Sequence, residues 1–186
     1  MAKKRRKDFR FEIEVPSEIQ ASLDNGFVTL KKDSKEIKRV IDKEIIASQE
    51  GKKIILEVKK AGKLEKRRFG TMKSHVKNMI EGLMHGHEYE LEICIVHFPM
   101  TVTFDKAKSE FTIKNLLGEK SPRTIKAFGN VEVEIKAPHI KIKSYDLEAA
   151  GQTAANLEKI TKIRNRDRNK FQDGIFITKK PEKVVV

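Results

Sequence analysis

The sequence contains one cysteine and no tryptophan among its 186 residues. A single cysteine excludes an intrachain disulfide and a zinc site built from several cysteines. Cys94 lies in the alternating segment YELEICIVHF, where packing explains a thiol better than reactivity does. The longest uninterrupted apolar runs, such as 93–96, are about four residues long, whereas a membrane-spanning helix needs about 20. We therefore expect neither a disulfide framework nor a transmembrane segment.

Signals for export, metal binding and catalysis are also scarce. The basic start, MAKKRRKDF, is followed by no apolar stretch, so it is not a secretory signal and a cytoplasmic protein is expected. His85 and His87 form an HxH pair without further ligands at suitable spacing, which favours a turn over a metal site. No Walker loop, HExxH or GxSxG motif occurs. We expect no enzyme, metal, cofactor or small-molecule substrate.

Positive charge is what the sequence has in excess. It has 40 Lys and Arg against 27 Asp and Glu, a net charge of +13, and 38% hydrophobic residues, enough for a core of ordinary size. Such an excess favours a polyanionic partner. Nucleic acid and an anionic membrane surface are the two candidates at this point.

Hydrophobic periodicity predicts several strands and two helices. Segment 34–41 stays open, because its apolar spacing suits a helix whereas its length and position suit a strand. The first predicted helix opens at Gly70-Thr71 and closes at Gly86, and its Met-rich face is expected to pack on a sheet. The predicted strands are 9–15, 25–32, 52–60, 87–99, 110–115, 131–138, 139–145 and 174–178, and the helices are 69–86 and 147–163.

The same order of elements occurs twice. The near-constant offsets join Pro16 to Pro99 (83 residues), Phe27 to Phe111 (84), and Gly70 to Gly151 (81), and the last offset also joins Val76 to Leu157 and Met79 to Ile160. This repetition predicts an internal duplication and an α+β fold with two tandem similar domains, each a small antiparallel sheet packed on one helix. The expected boundaries are a basic arm 1–8, a first domain 9–86, a second domain 87–180 and a tail 181–186.

Several segments carry a resemblance to a known family. HFPMTV (97–102), NLLGEKSPRTIKAFG (115–129), GQTAANLEKITKIRNRDRNKFQDGIFI (151–177) and GTMKSHVKNMIEG (70–82) resemble the signature segments of the large-subunit ribosomal protein six family, in its archaeal and eukaryotic branch. The resemblance runs from about Phe9 to about Lys180. Two departures stand out: KKDSKEI lacks the family's usual glycine-rich turn, and Ser144 replaces a usual glycine.

The resemblance implies a fold of two similar α/β domains and a place in the large ribosomal subunit. It implies binding of large-subunit rRNA, mainly by the second domain, near the stalk base and the sarcin-ricin loop. Neighbouring ribosomal proteins and approaching translational GTPases would be its protein partners. It implies no catalytic residues and no cofactor. A non-ribosomal general RNA-binding protein remains the alternative, as does an RNA-processing enzyme using His85, His87, Asp167 and Asp173.

The segment KIRNRDRNKFQDGIF (162–176) carries a cation at every second position from 162 to 170. In an extended chain these side chains all point to one side, which predicts a one-sided cationic ribbon facing the RNA backbone. Phe171 suits either stacking on an unpaired base or plugging the core beneath. Gly174 is expected to allow a turn with close backbone approach.

The segment GEKSPR (118–123) forms a second candidate patch, which is either an RNA contact or a solvated turn. The arm MAKKRRK is a candidate for ordering on nucleic acid. About eight phosphate contacts would give a slope of log K against log salt of about −6 to −7. The candidate RNA-binding residues are Lys120, Arg123, Lys162, Arg164, Arg166, Arg168, Lys170, Phe171, Gln172, Gly174, Lys179 and Lys180.

Overall fold

The computed structural model describes residues 7–182, with the side chain of Lys7 excepted. Most of the expected basic arm, and residues 183–186 of the expected tail, lie outside the described residues. The chain divides into two compact units, Met1–His85 and Gly86–Val186.

The first unit holds two antiparallel three-stranded sheets and one helix. One sheet has the strand order β1-β6-β5 and the other β2-β3-β4. The helix packs mainly on β6, and Val28, Leu30, Leu56 and Val76 in the core are fully buried. The elements are β1 (Lys7–Glu14), β2 (Gln20–Asp24), β3 (Phe27–Lys32), β4 (Lys35–Val40), β5 (Ile46–Glu50), β6 (Lys53–Ala61) and α1 (Lys63–Met84).

The second unit repeats this arrangement and adds a strand. Its sheets have the orders β11-β12-β7-β13 and β10-β9-β8, again antiparallel, and its helix packs on β7, β12 and β13. The elements are β7 (His87–Cys94), β8 (Thr101–Asp105), β9 (Glu110–Lys114), a 3₁₀ turn (Leu116–Gly118), β10 (Arg123–Lys126), β11 (Glu132–Lys136), β12 (His139–Ser144), α2 (Leu147–Ile160) and β13 (Gly174–Lys179).

The strand orders confirm the α+β class and the duplication. The order β7-β12-β11 repeats β1-β6-β5, the sheet of β8, β9 and β10 repeats that of β2, β3 and β4, and α2 repeats α1. Within each unit the structure has two sheets where one was expected. The added sheet is the short three-stranded meander that follows the first strand of each unit.

Burial tests the offsets residue by residue. The helix offset of 81 joins Val76 to Leu157, which are both fully buried. The offset of 84 that joins Phe27 in β3 to Phe111 in β9 is wrong, because Phe27 is 43% exposed whereas Phe111 is buried. An offset of 83 instead joins buried Val28 to buried Phe111. The same offset joins Pro16 to Pro99, so one offset relates both the strands β3 and β9 and the prolines that precede them.

Helix α1 begins one to two turns before the expected opening at Gly70. The carboxylate of Glu65 accepts a hydrogen bond from the backbone N–H of Gly62 (2.9 Å), which caps the helix at its true start. Gly70 lies exposed within the helix, where a Cβ would meet nothing within 4 Å. Helix α2 ends at Ile160 rather than at residue 163, with Thr161 as its C-cap.

The strand assignments also need correction in places. Segment 34–41 contains strand β4, and Asp33 supplies the left-handed residue of the preceding turn (φ 52°) that a glycine usually provides. The expected strand 87–99 ends at Cys94, and residues 95–99 form a loop. Strands β2, β5, β8 and β10 were not predicted.

Candidate nucleic-acid interface

Three loops meet at one end of the second unit: the HFP loop (95–100), the NLLG loop (115–122) and the cationic loop (162–173). The side-chain amide of Asn115 donates a hydrogen bond to the carbonyl of Pro99 (2.9 Å). The Phe98 ring lies against Gly118. The HFP loop is joined to the cationic loop through Asp173. We call the combined surface of the three loops the loop surface.

The two ends of the cationic loop are joined at a buried threonine. Thr161 is 2% exposed, and its hydroxyl oxygen accepts a hydrogen bond from the backbone N–H of Ile175 (3.0 Å). The C-cap of α2 is therefore tied directly to the start of β13. A surface loop whose ends meet in this way forms a compact unit.

Asp173 fastens the HFP loop to the cationic loop. Its side chain is buried, and Oδ1 accepts hydrogen bonds from the backbone N–H groups of Val96 (2.9 Å) and His97 (2.8 Å). The imidazole of His97 donates from Nδ1 to Oδ2 (2.7 Å). Burial by itself would raise the pKa of the Asp173 carboxyl group, but these hydrogen bonds hold the pKa well below its usual range. The carboxylate is therefore ionised at neutral pH.

Phe171 lies half-buried within the loop surface. Its ring stacks on the His97 imidazole, with 4.8 Å between ring centroids and 28° between planes. The guanidinium of Arg166 lies over the same ring, 4.8 Å from its centroid. These contacts brace the loop from within; base stacking by Phe171 stays a prediction.

The expected extended ribbon is wrong, because the cationic loop contains bends and a turn. Asn165 has a left-handed backbone (φ 57°). The carbonyl of Asp167 accepts hydrogen bonds from the N–H groups of Lys170 (3.2 Å) and Phe171 (2.9 Å), and its carboxylate accepts one from Asn169 (2.9 Å). The cations therefore do not all point one way from a flat strand.

Five cations of the cationic loop are exposed and form no ion pair with any residue between 7 and 182. One of them, Arg166, lies with its guanidinium over the Phe171 ring, which leaves four that are not engaged in this way. They are Lys162, Arg164, Arg168 and Lys170. Neighbouring charges do not neutralise them, because Asp167 is engaged with the backbone of the cationic loop and Asp173 with the backbone of the HFP loop. The result is a rigid, strongly positive projection.

Arg123 is committed within the protein. Its Nε donates to Glu119 Oε2 (2.8 Å), its Nη2 pairs with the other oxygen (2.5 Å), and its Nη1 donates to the Ile160 carbonyl at the end of α2. The hydrogen bond from Arg123 lowers the pKa of the Glu119 carboxyl group. Both side chains line a cleft of about 450 Å³, together with Lys162 and Arg164. Lys120 stands exposed on the same loop.

The remaining candidates are divided between the two ends of β13. Gln172 is exposed near the end of the cationic loop, and Gly174 has φ 150°, where a Cβ would lie 3.4 Å from the Phe176 ring. The close approach at Gly174 is therefore to the protein itself. Lys179 opposes Glu90 at the far end of β13, about 17 Å from Gly174 at 3.3–3.4 Å per residue, and Lys180 follows it. The structure does not bring these two lysines to the loop surface.

The apolar part of the loop surface was not predicted from the sequence. Ile95, Val96 and Phe98 are 51%, 58% and 46% exposed. Their signal in the sequence is an apolar run that continues past the end of an alternating strand and stops at Pro99. His97 was missed as the partner of Asp173, since no spacing rule joins positions so far apart in the chain.

Within residues 7–182, no group of three His, Cys, Asp or Glu side chains is arranged to hold a metal ion. None of the helices in this range is both long and apolar enough to cross a membrane.

Comparisons with known proteins identify the fold family. The family model for ribosomal protein L6 matches residues 98–174, which include the NLLG loop and the cationic loop. The chain is 35% identical over 175 residues to large ribosomal subunit protein uL6 of Haloarcula marismortui, covering 94% of this chain and 97% of the relative. This protein belongs to the ribosomal protein L6 family.

Other L6-family relatives agree along nearly the whole chain. Large ribosomal subunit protein uL6 of Methanococcus vannielii is 38% identical over 177 residues, covering 95% of this chain and 96% of the relative. The uL6 protein of Staphylothermus marinus is 39% identical over 169 residues, covering 89% of this chain and 91% of the relative. These matches confirm the resemblance drawn from the signature segments. L6-family relatives are ribosomal proteins and not enzymes, as expected for this chain.

Proposed function

We propose that this protein is a constituent of the cytoplasmic large ribosomal subunit, where it binds large-subunit rRNA through the loop surface. The observation that carries the proposal is the set of four exposed, unpaired cations on a loop braced by Asp173 and Phe171. Such a loop presents charge without first having to be ordered, so little conformational entropy is lost on binding. The choice of large-subunit rRNA as the partner is supported by membership in the L6 family.

Phosphate contacts supply the affinity in this proposal. Guanidinium groups such as those of Arg164 and Arg168 bind phosphate oxygens in a fork and position the protein without reading sequence. The four loop cations and Lys120 would give a slope of log K against log salt of about −3.5 to −4.5. This value is smaller than the first estimate, because Arg123 is paired, Arg166 lies over the Phe171 ring, and Lys179 and Lys180 lie elsewhere.

The second unit is the main RNA-binding half in this proposal. We place its loop surface near the stalk base and the sarcin-ricin loop, where translational GTPases approach and neighbouring ribosomal proteins abut. Support comes from the family resemblance and from the exposed apolar residues beside the cations, which suit contact with splayed bases and sugars. Hydroxyl-radical cleavage of rRNA from a probe attached at Lys170 in assembled subunits would test this placement. Cleavage confined to distant rRNA would contradict it.

The test of the RNA-binding role is a comparison of two triple variants with equal charge loss. In one, Arg164, Arg168 and Lys170 of the cationic loop are each changed to Gln. In the control, three exposed lysines of the first unit, at 43, 52 and 59, are each changed to Gln. We expect the loop variant to reduce the salt slope for large-subunit rRNA by about 2 to 3 and the control to change it by less than about 1.

Equal effects of the two triple variants would favour a general RNA-binding protein over the proposed site. A sucrose gradient of salt-washed subunits provides the second discriminating result. One copy retained per large subunit supports a ribosomal constituent. Release at moderate salt supports the alternative of a non-ribosomal RNA-binding protein.

A further inference from the structure

The duplicated sheets differ at one edge. In the second unit, β7 lies between β12 and β13, so both of its edges are paired. In the first unit, its counterpart β1 pairs with β6 only, and no described strand covers its other edge. Within residues 7–85, the first unit thus has no strand at the position that β13 fills in the second unit, and we call this the vacant position.

The register shows which backbone groups face this vacant position. The N–H of Val15 donates to the Lys52 carbonyl (2.8 Å), so residues of odd number in β1 are bonded to β6. The backbone groups of Arg10, Glu12 and Glu14 therefore point away from β6. Antiparallel pairing leaves them as an unsatisfied edge.

The matching groups in the second unit are bonded. The N–H of Ile93 donates to the carbonyl of Pro138, the residue just before β12, so the backbone groups of Glu90, Glu92 and Cys94 face β13. Strand β7 begins and ends 80 residues after β1, and this offset places these three residues on the three outward-facing residues of β1. The duplication thus retains the geometry of the edge but not the strand that fills it.

Side chains beside the vacant position show the same difference. Leu91 in β7 is fully buried, whereas Phe11 at the equivalent place in β1 is only half-buried. Two lysines of α1 cover the rings instead: Lys73 Nζ lies 3.7 Å from the Phe11 ring centroid, and Lys66 Nζ lies 5.4 Å from the Phe9 ring centroid. Neither lysine forms an ion pair with a described carboxylate.

We propose that the free edge of β1 binds an extended segment of another protein, which adds a strand at the position that β13 fills in the second unit. Main-chain hydrogen bonds to residues 10, 12 and 14 supply the pairing, and side-chain alternation supplies the selectivity. This interaction surface contains no residue of the loop surface.

The neighbouring side chains define the chemistry of the added strand. Its residues that face α1 are apolar, as Ile175 and Ile177 are in β13, and cover the exposed part of Phe11. At least one carboxylate on that side pairs with Lys66 or Lys73. An acidic-apolar segment is favoured over RNA, because nucleic acid cannot continue a ladder of backbone hydrogen bonds.

Hydrogen exchange of the free protein and of assembled large subunits tests the pairing. In the free protein, the amides of Arg10, Glu12 and Glu14 should exchange fast while those of Phe11 and Ile13 are protected. In the subunit, we expect the three outward amides to slow by roughly tenfold or more. Fast exchange of these amides in a subunit that contains the protein would overturn the proposal.

Glu12→Pro removes one outward N–H and leaves the bonds to β6 in place, whereas Glu12→Gln keeps that N–H. Both variants should fold and enter subunits through the loop surface. Only Glu12→Pro should lose the added protection at residues 10 and 14. If neither variant loses it, the protection does not come from a paired strand and the proposal fails.

A photo-crosslinking residue at position 14 in assembled subunits identifies the occupant. A crosslink to an extended acidic-apolar segment of another protein supports the proposal. Crosslinks to rRNA alone, to a second copy of this chain or to its own residues 183–186 would overturn it. Incorporation of the protein into large subunits is measured first, on a sucrose gradient. If the protein is not incorporated, the proposed ribosomal role fails; if it is incorporated but the expected crosslink is absent, only the proposed strand pairing fails.

Discussion

Replacing Asp173 with asparagine removes a buried charge while keeping the shape of the side chain. Asp173 accepts three hydrogen bonds, two from backbone N–H groups of the HFP loop and one from the His97 imidazole. A hydrogen bond to a charged group contributes about 1 kcal/mol more than a neutral one. We expect Asp173→Asn to lower the free energy of unfolding by about 3 kcal/mol at pH 7, measured by urea unfolding with far-UV circular dichroism.

The stabilisation that Asp173 provides should weaken as the pH falls. The pKa of the Asp173 carboxyl group is lower in the folded protein than in the unfolded chain, where it is about 3.9. Its stabilising contribution is therefore complete above pH 4 to 5 and is lost as the pH falls toward the folded-state pKa. The difference between the wild type and Asp173→Asn should shrink by about 1 kcal/mol between pH 5 and pH 3.

Asp167→Asn is the matched control within the same loop. Asp167 is exposed, and its carboxylate accepts a single hydrogen bond, from the Asn169 N–H. We expect a loss of less than about 1 kcal/mol. Equal losses for Asp167→Asn and Asp173→Asn, or no loss for either, would refute the argument that the buried carboxylate fastens the two loops.

Two further predictions concern a pair of helix glycines and a serine hydroxyl, and both are measured by urea unfolding. Gly151→Ala should destabilise the protein by about 1 kcal/mol, because a Cβ there would lie 2.9 Å from the Tyr89 hydroxyl and the strain exceeds the gain in helix propensity. Gly70→Ala, at the duplicated position with open space, should instead stabilise by about 0.5–1 kcal/mol, and changes of the same sign would contradict this reasoning. Ser144→Ala should cost about 1–2 kcal/mol, because the Ser144 hydroxyl donates to the Asn130 carbonyl (2.7 Å), and an unchanged stability would argue against that bond.

The predictability of each strand follows from what stabilises it. FRFEIEV and YELEICI were predicted because one face of each is buried and the other is charged, which imposes alternation on the sequence. Strand β5 (IASQE) has almost no buried face, and its pairing with β6 comes from backbone hydrogen bonds. Bonds between backbone groups leave no trace in residue type, so such strands are invisible to hydrophobic patterns.

The start of α1 shows how a local signal can mislead. Gly70-Thr71 has the composition of a helix start, but Gly70 lies inside the helix on its exposed face. The residues before it, KLEKRRF, carry one buried side chain, Phe69, so their periodicity is weak. The signal that places the start correctly is Glu65, three residues after Gly62.

The alternation of the cationic loop has a different cause from the one that the sequence suggests. Cations occupy the even positions, and the odd positions hold Asn165, Asp167, Asn169 and Phe171, which shape the loop. Asn165 adopts a left-handed backbone, Asp167 accepts the hydrogen bonds of the turn, and Phe171 packs on His97. Two sets of residues with different tasks thus share one short segment. Its period of two reflects turn chemistry interleaved with charge, and a strand is not needed to explain it.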